Sequence, residues 1–70
     1  MTTKKVTTNG GKDCLFKVSE YRGKIYVYRV DSIGVFSDSL VEIGHTGSLE
    51  DALILIKSYS GYGIKSITDW

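Results

Sequence analysis

His45 and Cys14 are the only histidine and the only cysteine among the 70 residues of this chain. Any nucleophilic or metal chemistry would have to be built around them. Nucleophilic catalysis needs a nucleophile, a base and an orienting group within hydrogen-bond reach. No spacing ties His45 to Cys14, to a serine or to a carboxylate, so it reads as a loop histidine and no catalytic residue is expected. A structural zinc site takes four Cys or His ligands, more than these two residues supply, and one thiol cannot form an internal disulfide. No metal, cofactor or small-molecule substrate is implied, and the chain does not read as an enzyme.

Two glycine-containing stretches could in principle hold an anion. Ile43-Gly44-His45-Thr46-Gly47-Ser48 approaches a predicted helix start with glycines and hydroxyls, the ingredients of a phosphate cradle. Glu50 and Asp51 follow in the first turn and would repel a phosphate, which leaves a turn with Ser48 as helix cap. Gly61-Tyr62-Gly63 follows that helix instead of opening one and matches no phosphate-binding fingerprint.

Aromatic residues interleaved with cations carry more chemistry. Exposed tyrosines stack on nucleic-acid bases while Lys and Arg hold phosphates. Tyr21, Arg22, Lys24, Tyr26, Tyr28 and Arg29 lie within one predicted hairpin, and Lys4, Lys5 and Lys12 are nearby in sequence. Whether these tyrosines face solvent or the core depends on the elements that position them.

Residues 14–20 alternate, with Cys14, Phe16 and Val18 on one side, which predicts a half-buried strand. Residues 24–31 are rich in β-branched and aromatic side chains and predict a second. A two-residue Arg22-Gly23 turn would force Arg22 to a positive φ, whereas a three-residue loop asks that of Gly23 alone. The three-residue loop is the expectation. It sets Val18 against Tyr26 and Phe16 against Tyr28 on one apolar face and leaves Leu15, Lys17, Ile25, Val27 and Arg29 on the other. With the two-residue turn, Tyr26 and Tyr28 instead share a face with Lys17.

Residues 40–45 read as a third strand, with Val35 and Phe36 in the loop before it. Ser48 as N-cap, acidic residues in the first turn, and Leu49, Ala52, Leu53, Ile56 and Tyr59 on one stripe predict a helix over residues 49–60, stopped by Gly61. Ile54 points away from that stripe. Residues 64–68 predict a short C-terminal strand beside the first or the third. Residues 1–12 read as a flexible tail or an edge strand, preceding a single α+β domain over residues 13–70. The expected fold is two-layered: a three-stranded antiparallel meander, with or without an extra N-terminal strand, one helix on one face, and the C-terminal strand.

Net charge is +1, but residues 1–29 hold seven Lys or Arg against Asp13 and Glu20, and residues 30–56 hold five acidic residues and no Lys or Arg. Such a dipolar chain suits an oppositely charged partner or its own copy. No apolar stretch approaches the ~20 residues needed to span a bilayer, and a lone thiol fits a reducing compartment, so cytoplasmic residence and no membrane partner are expected. One helix covers one sheet face, yet both hairpin faces carry apolar side chains. The leading expectation is therefore a binding module that self-associates as a dimer through its sheet face or edge, using Leu15, Ile25, Val27, Ile54 and Trp70. The alternative is nucleic-acid binding through Tyr21, Arg22, Lys24, Tyr26, Tyr28 and Arg29.

Overall fold

The computed structural model describes residues 3–10, 14–33 and 38–70. Five strands and one helix follow in the order β1 (Thr3–Thr8), β2 (Leu15–Tyr21), β3 (Lys24–Ile33), β4 (Asp38–Thr46), α1 (Leu49–Ser60) and β5 (Ile64–Asp69). The strands form one sheet in the order β4-β3-β2-β1-β5, every neighbouring pair antiparallel. This is the expected α+β arrangement of a helix packed on an antiparallel sheet with a short C-terminal strand. The loop with Val35 and Phe36 lies outside the described residues, as does Lys12.

The helix forms where its signals predict. Ser48 has extended backbone and its hydroxyl accepts from the Asp51 N–H at 3.2 Å, while Gly61 adopts the left-handed conformation and donates its N–H to the Lys57 carbonyl. Ala52 and Ile56 are fully buried, and Leu49, Leu53 and Leu55 pack around them. The helix lies over β3 and β4.

The hairpin departs from the expected register. Tyr21 pairs directly with Lys24, so the connection is the two-residue Arg22-Gly23 turn, with both residues at positive φ, 51° and 78°. Val18 consequently faces Val27, and Ile25 and Val27 turn inward. The reason is packing. Each buried aliphatic side chain contributes ~1.5–3 kcal/mol, more than the ~1–2 kcal/mol that one non-glycine residue in the left-handed region costs. The three-residue loop would have put two tyrosine hydroxyls under the helix in their place. The core is therefore Val6, Phe16, Val18, Ile25, Val27, Ala52 and Ile56.

The N-terminal segment supplies the extra strand that the sequence allows, but not at an edge. Residues 3–8 form neither a tail nor an edge but an interior strand between β2 and β5, with Val6 wholly buried opposite Phe16. Thr8, also buried, donates its N–H to the Cys14 carbonyl at 2.9 Å and its hydroxyl to the Gly10 carbonyl at 3.1 Å. β5 accordingly lies beside β1, not beside β2 or β4. Its outer end is held by an ion pair from Lys4 to Asp69, and the hydrogen bond from Lys4 keeps the Asp69 carboxyl below its ordinary pKa.

Candidate functional site

Cross-strand partners point to the same face of a sheet, so the register sorts every side chain. Val6, Phe16, Val18, Ile25, Val27 and Arg29 lie on the helix side. The opposite face carries two rows across the strands. In the first, Thr68, Lys5, Lys17, Tyr28 and Glu42 are successive partners; in the second, Thr3, Ser19, Tyr26 and His45. Tyr21 and Lys24 extend this face toward the turn.

A bulge shapes the β4 edge. Val27 pairs with Gly44 and Tyr28 with Glu42, so Ile43 is an extra residue, and it packs toward the core. His45 and Glu42 thereby both face away from the helix, and the His45 ring lies against Tyr26 at a centroid distance of 5.7 Å. At the other side of the sheet the Trp70 backbone N–H reaches the Thr3 carbonyl. Its indole stays partly exposed while Lys17 and Lys5 place their ammonium groups 4.8 and 5.7 Å from the ring. Such contacts stabilise by ~0.5–1 kcal/mol at exposed sites and hold the two cations together above one aromatic ring.

The expected nucleic-acid residues divide. Tyr21, Lys24, Tyr26 and Tyr28 share the helix-free face, and Arg22 sits at the turn with its guanidinium 5.4 Å from the Tyr21 ring. Arg29 does not join them. It lies on the helix side, bonded to the Asp31 carboxylate at 2.9 Å and the Tyr59 hydroxyl at 2.8 Å, and these two acceptors, Asp31 first, raise its pKa above the ordinary value. The Tyr59 ring in turn meets Phe16 edge-on, so Arg29 serves to anchor the end of the helix.

The five expected interface residues do not assemble into one surface. Ile25 and Val27 are core residues because of the register, Leu15 is half-buried on the open face, Trp70 stands beside β1, and Ile54 projects from the far side of the helix at 60% exposure. The helix-free sheet face is accordingly cationic and aromatic over Lys5, Lys17, Tyr26 and Tyr28, with Leu15, Val30 and Leu40 forming an aliphatic stretch beside them.

Lys5, Lys17, His45 and Trp70 are the members of this face that the hairpin motif alone did not include. Alternation within residues 14–20 marks Lys17 once the turn length is known. Nothing local marks Trp70, whose position depends on β5 pairing with β1. The described residues enclose no pocket, and no three of their His, Cys, Asp or Glu side chains converge. Among the described residues no helix is long and apolar enough to cross a membrane. No family model, curated protein or solved structure matches the chain.

Proposed function

We propose that this chain is a non-enzymatic module that binds single-stranded nucleic acid on the helix-free sheet face, in the cytoplasm. The observation that carries the reading is the register of Lys5, Lys17 and Tyr28 across three strands, with Tyr26 in the next row on the same face and both lysines against the Trp70 ring. Unpaired bases stack on aromatic side chains displayed by an open sheet while flanking cations take the phosphates. A gently twisted sheet face is too broad for the ~12 Å major groove of duplex DNA, which favours unpaired strands. Glu42 closes one end of the first row, so the phosphate path runs over β5, β1 and β2 and away from the acidic β4. Face-to-face self-association fits less well, because it would desolvate Lys5, Lys17 and Lys24 against their own copies.

The test is fluorescence anisotropy with labelled single-stranded DNA and RNA, read together with quenching of Trp70, the sole tryptophan. Binding through three lysines predicts a log–log salt slope of about −2, at ~0.7 per phosphate contact. Tyr28→Ala removes one stacking platform and should weaken binding by ~1–3 kcal/mol, about fivefold to a hundredfold. Lys17→Ala should flatten the salt slope, whereas Arg29→Ala should leave affinity unchanged. Absence of any anisotropy change at ~50 mM salt, or equal affinity for duplex, overturns the reading.

A further inference from the structure

The sheet has two edges, β4 and β5, and only β5 is complementary to itself. Trp70 donates its backbone N–H inward to Thr3. Backbone direction alternates along a strand, so Thr68 and Ser66 also face β1 with their N–H and C=O groups, while those of Ile67 and Asp69 point outward. Ile67 is 41% exposed on the helix side, and Asp69 shares that side opposite Lys4. Lys65 is an extra residue in the β1–β5 ladder, since Thr7 pairs with Ser66 and Thr8 with Ile64.

We infer that two copies of this chain pair antiparallel through the outer edges of β5, with the two-fold axis at Ile67. Two sheets that continue into each other must keep their faces aligned, so residues of like parity stand opposite. Centred on Ile67, that rule sets Ile67 against its own copy, Ser66 against the partner's Thr68, and Lys65 against the partner's Asp69. Asp69 holds Lys4 of its own chain through Oδ1, and its side chain is 90% exposed, so the carboxylate bridges Lys4 and the partner's Lys65. Both intermolecular ion pairs form at once by symmetry, and the outward backbone groups of Ile67 become a mutually bonded pair. Edge lysines and bulges ordinarily deter strand addition. Here Lys65 admits only a strand that brings a carboxylate to that position. β4 offers no such match: its sequence, Asp-Ser-Leu-Val-Glu-Ile-Gly-His-Thr, has carboxylates and no Lys or Arg, and a bulge interrupts its ladder with β3. The contact is smaller than the ~1,200 Å² of a standard interface, so the dimer is a weak one. It does not depend on the nucleic-acid reading, and it would place both cationic faces on the same side of one continuous sheet.

Sedimentation equilibrium on the whole chain tests this. The wild type should approach twice the 7.8 kDa chain mass at concentrations of ~100 μM and above, as a small interface requires. Lys65→Asp and Asp69→Lys each set like charges face to face and should raise the dimer dissociation constant ~tenfold or more. An equimolar mixture of the two variants restores opposite charges at both positions and should recover the doubled mass. Ile67→Arg, which puts two cations at the axis, should abolish it independently, with circular dichroism checking that all variants stay folded. A wild type that remains at the single-chain mass at ~1 mM, a concentration where even weak contacts associate, overturns the inference. Variants that dimerise like the wild type, or a mixture that does not recover, overturn it equally.

Discussion

Arg22 occupies a backbone conformation that glycine and asparagine tolerate and arginine does not favour. Its φ of 51°, next to Gly23 at 78°, is what a two-residue hairpin turn demands at both positions. Asparagine at the first position suits this turn better, so Arg22→Asn should stabilise the fold by ~0.5–1 kcal/mol and raise the melting temperature by a few degrees, read by thermal circular dichroism. An unchanged or lowered melting temperature would mean that the contact between Arg22 and the Tyr21 ring outweighs the backbone strain. This residue also marks where local reading stops. Ser48 and Gly61 are legible as helix boundaries because their preferences act within a few residues, and they act as expected. Arg22 was legible only as an obstacle, because the packing that overrides it comes from residues far along the chain.

Between α1 and β4 the helix makes a close contact at Gly44. A Cβ built there would stand 2.9 Å from a Leu55 methyl, so the leucine seats directly on backbone. Gly44→Ala forces Leu55 outward and should cost ~1 kcal/mol, at the low end of overpacking penalties because only the tip of a side chain must move. Urea unfolding would measure this as a lower midpoint at unchanged slope. Gly44→Ala and Leu55→Ala together should cost less than the sum of the two single losses, since the two groups share one space. The stripe Leu49, Ala52, Leu53, Ile56 was legible at the level of this element, and the helix spans the residues it marks. β1 was legible only as one of two alternatives. Its only buried aliphatic residue is Val6, and its lysines and threonines read as a tail or an edge strand until strands on both sides supply partners. Pairing of that kind has no local signature.

At the scale of the molecule the register divides the sheet into two chemically distinct faces. The core aliphatic residues lie under the helix, and lysines, tyrosines, His45 and Trp70 lie on the other side together with Leu15, Val30 and Leu40. The motif residues Tyr21, Lys24, Tyr26 and Tyr28 were visible in the sequence as a hairpin, but their common exposure followed from one turn residue. The uneven charge along the chain becomes a gradient across the sheet, from lysines on β1 and β2 to Glu42 on β4.

β1 and β5 lie side by side, with Thr3 bonded to Trp70, although three strands and the helix separate them along the chain. A chain synthesised in that order therefore carries a half-satisfied β1 until all the intervening elements and β5 have been made. A chain ending at Gly63 leaves one side of β1 without its ladder and removes Ile64 from the core margin. Such a fragment should give a broad, non-cooperative melt where the whole chain gives a sharp one. Completion of the sheet then waits for the last of its five strands, and until that strand pairs, the one bearing Val6 and Lys5 is open to pairing with foreign edges.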